Sequence, residues 1–249
     1  MAVSCTHASS VQQPAGAPAA SARAVALPTS LPPSVPASEF GRLVDAYFDA
    51  MLAFSPSSAT AVGLHVHDAA LEDLSRARVE ARIAEVRGFV ARLDALPAAG
   101  LLPDEAVDRA FLTSQARAEL FELVTIESWR RNPMAYARLP GEAVDGLMKR
   151  AFAPAPDRLR SVVARLRLVP RLYTQARANL ENPAREHTEL ALRMTKGSIG
   201  FFESATRTWA HSAGADAALL KEFDAANDAA LAATRDFAAW LEHDLAPRS

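Results

Sequence analysis

The sequence predicts an all-α protein, a bundle or array of about eight helices behind a disordered N-terminal tail. Three observations carry that expectation. From residue 39 onward, apolar side chains recur at steps of three and four, the period that lays one stripe along a helix. Alanine dominates, while Gly is 10 of 249 residues and aromatics are 7%, a balance suited to close-packed helices rather than strands. No stretch alternates apolar and polar residues as a half-buried strand would.

Residues 1–38 carry Pro14, Pro18, Pro28, Pro32, Pro33 and Pro36 among Ala and Ser with almost no large apolar side chains, and read as a disordered, partly extended tether. Within it, Cys5 follows small residues in MAVSC, like the end of a bacterial lipoprotein signal, although no basic segment and no apolar segment precede it. With a natural start upstream, Cys5 would be lipidated and the protein held in the cell envelope or periplasm. Otherwise Cys5 is an ordinary tail residue and the location is cytoplasmic.

The helical domain is expected over 39–249. Ser38 is a candidate N-cap for a first helix whose face holds Phe40, Leu43, Val44, Tyr47, Phe48, Met51 and Leu52. Pro56 ends it, and Ser55 is the next candidate cap, for a short helix closing at Gly63. After a polar interval with His65, His67 and Asp68, Ser75 opens a long helix to residue 96 with Val79, Ile83, Val86, Val90 and Leu93 inward, stopped by Pro97 and Gly100. Pro103, with Asp104 and Glu105 at the positive helix end, starts another toward residue 131, with Val107, Phe111, Ala118, Phe121, Val124 and Trp129 on its inward face. Asn132–Pro133 breaks it, and a short helix is expected over 142–152.

The clearest pattern lies at 155–180. Leu159, Val162, Leu166, Val169, Tyr173 and Ala176 form one stripe, and Arg160, Arg167 and Arg171 fall on the opposite, wet side. Pro170 removes one backbone hydrogen bond and crowds the carbonyl of Leu166, which predicts a bend costing about 3 kcal/mol. Asn182–Pro183 is a turn, a helix over 184–210 is weakened by Gly197 and Gly200, and a last helix covers 216–245.

A net charge of -2 and a pI near 6.3 argue against nucleic acid as a partner, which usually meets a concentrated excess of Lys and Arg. No run of 18 apolar residues is free of charge, so no transmembrane segment is expected. One cysteine leaves no internal disulfide and no cysteine-rich metal site. None of the six histidines has a second histidine three or four residues away, the spacing by which a helix gives two ligands to zinc. His65, His67 and Asp68 would hold a metal only if their loop curled round it with distant help. Gly197 and Gly200 do not make a phosphate loop, and Ser198 lacks a nucleophile elbow. The arginines between 158 and 177 are expected to cover apolar surface and pair with acids. From the residues themselves, no catalytic, cofactor-binding or metal-binding residue is assigned.

Several segments in order resemble the N-terminal half of the bacterial family called domain of unknown function 885. Gly63, His65 and Asp68 fit its G-x-H-x-x-D pattern, Asp73, Leu74 and Ser75 its D-L-S, and Asn132, Pro133 and Tyr136 its N-P-x-x-Y. Arg165, Leu166, Pro170, Ala176, Asn179 and Leu180 fit its R-L and P-x-x-x-x-x-A-x-x-N-L pattern. The resemblance implies an all-helical zinc metallopeptidase whose His-Glu-x-x-His helix lies in the C-terminal half, and that motif is absent from this sequence. This chain is then expected to be a truncated product or fragment walling one side of a substrate cleft, silent by itself. Zinc and a peptide substrate would belong to the full-length protein. Partners would be the missing C-terminal catalytic half or a second copy in self-association. His65, Asp68 and Tyr136 are the candidate cleft-lining residues, though such residues also cap helices and fix loops. The alternative is a helical binding or interaction module with no enzymatic role.

Overall fold

The computed structural model describes residues 38–97, 99 and 101–249; the tether and Cys5 lie outside them. Every regular element among the described residues is helical. Ser38 accepts the Gly41 N–H at 2.9 Å and opens α1 (Glu39–Phe54), satisfying one of the donors a helix start leaves free. α2 (Pro56–Ala61) follows at once with Pro56 in its first turn, but Ser55 makes no side-chain cap. Gly63, at φ 91°, closes that helix, its N–H bonding Thr60 O and that of Leu64 bonding Ala59 O. A single 3₁₀ turn (His65–His67) leads to α3 (Arg76–Ala95), where Ser75 caps the Arg78 N–H.

The helices α4 (Pro103–Phe121), α5 (Ser128–Arg131), α6 (Pro133–Lys149), α7 (Ala155–Asn179), α8 (Arg185–Gly200), α9 (Thr206–Ser212) and α10 (Ala217–Trp240) complete the described order. Wide π turns follow α4, α8 and α10, at Glu122–Ile126, Phe201–Ala205 and Leu241–Leu245. Asn227 of α10 donates to Phe202 O in the second of these at 3.0 Å.

Two apolar clusters result. The larger is built by α6, α7, α8 and α10, with Leu147, Leu166, Leu172, Phe202, Phe223 and Phe237 fully enclosed. α7 is its axis, and every residue of the expected stripe is buried while Arg160, Arg167 and Arg171 face water. The helix is continuous through Pro170. The smaller cluster joins α1, α3 and α4 through Phe40, Tyr47, Val86, Leu93, Leu112 and Ala116. Beside it Arg82 is completely buried, donating Nε and Nη2 to the Glu119 carboxylate at 2.7 and 3.0 Å, and Tyr47 adds its hydroxyl at 2.8 Å. Such pairing offsets the cost of dehydrating the guanidinium.

That ion pair explains the main departure from the sequence reading. Val107, Phe111, Ala118, Phe121 and Val124 were expected inward, yet Ala118 is exposed and the four larger ones are 69, 65, 55 and 40% exposed; on α1, Phe48 of the expected buried face is likewise exposed. Glu119 turns α4 so that Leu112, Ala116 and, in the following π turn, Leu123 share its side and are the buried ones. The expected helix to residue 131 is also interrupted, at Glu127, whose φ of 53° lies in the left-handed region between the π turn and α5. The helix expected over 142–152 instead starts at Pro133 and ends at Lys149. Asn132 stops α5 and caps α6 in the same step, accepting the Met134 N–H at 3.0 Å, and α6 then runs through Pro140.

Candidate functional site

The segment between α2 and α3 is laid against α7 and held there by four of its side chains. Arg165, with no exposed surface, donates to Ala70 O at 2.9 Å, Ala143 O at 2.6 Å, Pro56 O at 3.2 Å and Thr60 Oγ1 at 2.6 Å. Arg171 donates to Leu71 O and Glu72 O, both at 3.1 Å. Gln175 accepts the Leu74 N–H at 3.0 Å and donates to Asp73 Oδ1 at 2.7 Å. Asn179 donates to Leu74 O at 2.6 Å and to Tyr136 Oη at 3.0 Å. The bonds to Ala70, Leu71, Glu72 and Leu74 use backbone groups that a loop would otherwise leave to water, so residues 70–74 are fixed on α7.

Two of the candidate residues meet here. His65 Nδ1 lies 3.0 Å from Asp68 Oδ2, and its ring stacks on Phe152 with centroids 3.6 Å apart. Asp68 is buried, and its Oδ1 accepts the Thr60 hydroxyl at 2.6 Å, the same hydroxyl oxygen that Arg165 donates to. A relay of hydrogen bonds thus runs from the half-buried imidazole to the buried guanidinium. Glu72 lies in the same interior, accepting from the Ser57 N–H and hydroxyl, while its Oε2 is buried without a hydrogen-bond partner. Burial holds the Arg165 pKa below its ordinary value, and the charges of Glu72 and Asp68 act against that. Burial also raises the Asp73 pKa, but hydrogen bonds from Ser75, the Arg171 charge and Gln175 outweigh it and leave the carboxyl below the usual range.

Tyr136 is not beside them. It is fully buried on α6, its hydroxyl donating to Trp129 O at 2.7 Å and accepting from Asn179. Burial pushes its pKa up to about 12. In this structure it joins α5, α6 and α7 and presents no surface to a ligand. The outer side of the loop does: Val62, Leu64 and Val66 are 69, 48 and 83% exposed above the buried relay. Two open cavities of 450 and 510 Å³ run along α6 and α8, sharing Arg138 and Met194, and neither is lined by His65, Asp68 or Tyr136.

Sequence reasoning grouped Arg158 and Arg165 with arginines covering the surface, yet Arg158 is buried on the carbonyls of Leu147, Met148 and Ala153, and within the site the misplaced residue is Arg165. A signal was present: it stands three residues after Val162 and four before Val169, inside the apolar stripe. Thr60, Glu72 and Gln175 gave no comparable signal. The zinc that the resemblance implies finds no ligand set among the described residues, where no three His, Cys, Asp or Glu side chains converge. His65 is engaged with Asp68 and Phe152, and the chemistry legible here is positioning: a loop with an apolar outer surface held rigid by a buried polar network.

No curated protein matches the chain. Among solved structures, one from Shewanella oneidensis, described as a "putative lipoprotein of unknown function", matches with a TM-score of 0.77 and 28% identity over 85% of this chain. The chain spans 38% of that protein's length. A family model described as "Bacterial protein of unknown function (DUF885)" matches residues 56–249, the stretch that contains the α2–α3 loop, α7 and the network between them. The chain therefore belongs to the DUF885 family of bacterial proteins.

Proposed function

We propose that this chain is the helical, cleft-forming portion of a longer zinc-dependent peptidase-like protein and hydrolyses no peptide by itself. The observation that carries the reading is the clamped loop. Of the residues that fit the family pattern, Arg165 and Asn179 help fix residues 56–75 on α7, Asp73 accepts from Gln175 of α7, Asp68 joins Thr60 to His65 within the segment, and Tyr136 braces Asn179. Such preorganisation is what a binding wall requires, because ordering a loop on binding would cost affinity. The greater length of the Shewanella oneidensis neighbour supports placing the catalytic groups in a further portion. The test is peptide hydrolysis by purified 1–249 with and without added zinc. No turnover is expected; zinc-dependent turnover that His65→Ala abolishes would overturn the reading. Attachment to the cell envelope through a lipidated Cys5 belongs to the same proposal, supported by the neighbour's description, and mass spectrometry showing an unmodified Cys5 in protein made from an upstream start would remove it.

A second reading, a helical interaction module, is favoured by one specific feature. Leu102, Val107, Phe111, Phe121, Val124 and Ile126 are all between 40 and 69% exposed along α4 and its π turn. Large apolar side chains left this exposed favour a place where something docks.

A further inference from the structure

In the relay from His65 to Arg165, every side-chain nitrogen and oxygen has a hydrogen-bond partner except one. Arg165 uses all three of its nitrogens, Thr60 gives its hydroxyl proton to Asp68 Oδ1, and Asp68 Oδ2 meets His65 Nδ1. His65 Nε2 makes no hydrogen bond among the described residues and is not buried, in a side chain that is 32% exposed. Its direction is fixed all the same. A carboxylate only accepts, so the bond to Asp68 puts the proton of a neutral imidazole on Nδ1 and leaves the lone pair on Nε2. The ring plane is set by the stack on Phe152, 12° from parallel, and Phe152 in turn has the Arg158 guanidinium 6.0 Å from its centroid. Arg150 pins the near end of the segment through Ala61 O at 2.7 Å. A loop fixed for its own sake needs the Nδ1 donor and no more. Here the second nitrogen stands aimed and unused, with the exposed side chains of Leu64 and Val66 on either side of it in the chain.

We propose that His65 Nε2 is the polar group with which this wall holds a ligand, accepting a hydrogen bond from a backbone N–H of a peptide; the proposal deepens the cleft-wall reading and rests on it. Asp68, Thr60 and Arg165 are positioning residues behind it. The bond that Nδ1 gives to the Asp68 carboxylate polarises the ring and makes Nε2 a better acceptor. Because ring plane and tautomer are set before the ligand arrives, little ordering remains to be done on binding. The ligand class follows from the chemistry on offer: a lone pair calls for a donor, and an extended peptide brings one N–H per residue together with side chains for the aliphatic surface of Leu64 and Val66.

The test is long-range proton–nitrogen correlation NMR of 1–249 at about pH 9, where an ordinary imidazole is neutral. His65 is expected as the Nδ1–H tautomer with Nε2 unprotonated, and Asp68→Ala should shift it toward Nε2–H. Titration with N-acetyl-Ala-Val-Ala-amide to about 20 mM, enough for a dissociation constant at the millimolar level, should move the Nε2 resonance in the direction of a hydrogen-bonded nitrogen while the proton stays on Nδ1. His65→Asn keeps a donor for Asp68 at the place of Nδ1 and has nothing at the place of Nε2. It should melt within about 2 °C of the parent and bind the peptide about tenfold more weakly, read from the backbone amides of residues 64–68. The parent chain alone decides the tautomer and the response of Nε2, so a variant that folds poorly leaves both readouts intact. An Nε2–H tautomer in the parent, a peptide that leaves Nε2 unmoved, or a folded His65→Asn that binds as the parent does would each overturn the proposal. These outcomes are separate from zinc-dependent turnover by 1–249, which removes the cleft-wall reading whatever the imidazole does.

Discussion

Replacing Arg165 by Met tests whether the clamp on α7 holds the α2–α3 segment as described. The substitution preserves much of the side-chain volume and removes every donor. Pro56 O, Ala70 O, Ala143 O and Thr60 Oγ1 would then be left buried without Arg165, and Asp68 and Glu72 would lose its positive charge. An unsatisfied buried acceptor costs about 1–3 kcal/mol, but the guanidinium no longer has to be dehydrated, which offsets part of the total. Stranding the remainder of a buried charge network costs about 3–5 kcal/mol, and in a domain of this size each kcal/mol moves Tm by about 2–4 °C. The expected fall is therefore about 10 °C by circular dichroism melting, with a matching shift in urea midpoint. Amide exchange should report where the loss falls: protection drops first at residues 56–60 and 70–75, and least in α10. Arg165→Lys should recover less than half, because a compact ammonium cannot reach acceptors on opposite sides as a planar fork does. A Tm within about 2 °C of the parent for Arg165→Met, with unchanged exchange at 56–75, would refute the clamp.

Glu119→Leu should destabilise by about 3–5 kcal/mol in urea titration by leaving the buried Arg82 with Glu85 alone, whereas the pair Arg82→Met/Glu119→Leu should regain most of that loss; a double variant as weak as the single would show that the ion pair does not orient α4. The Asp73 carboxyl is held below its unfolded value of about 4, so its contribution is complete above that pH and is lost as pH falls through the lower folded value. Asp73→Asn should accordingly flatten the acid limb of the stability–pH curve below about pH 4, and an acid limb identical to the parent would contradict the linkage.

Periodicity carried most of the fold, and it did so where a helix buries one face completely. α7 is the clear case, its stripe and its wet arginines both as the spacing predicts. α4 failed because it carries two apolar faces, and the choice between them is made by Glu119 and Arg82, residues 37 apart whose meeting no local pattern announces. Asn132–Pro133 was legible as a boundary, yet the same dipeptide that halts one helix caps the next, and only the tertiary path says that α6 begins immediately. In the candidate site, the order of motifs picked out His65, Asp68 and Tyr136 without saying that they belong to different ends of one clamp. The buried relay joins residues 60, 65, 68 and 165, separated by as many as 105 positions, and polar residues at such distances leave no period to read.

Arg165 also bears on the order in which the chain assembles. Its contacts to Pro56 and Thr60 span 109 and 105 residues, and closing a loop of that length is among the slower steps of folding. Until it closes, the guanidinium has to keep its water, even while the rest of α7 settles against α6 and α10. Dehydration of this one side chain is thus deferred until the segment 56–72 arrives, which predicts a late docking of that segment in folding and an early release in unfolding. A protease sampling the native ensemble would meet the connection between α2 and α3 before it met the core, and the earliest cut would report the moment at which a buried charge goes back into water.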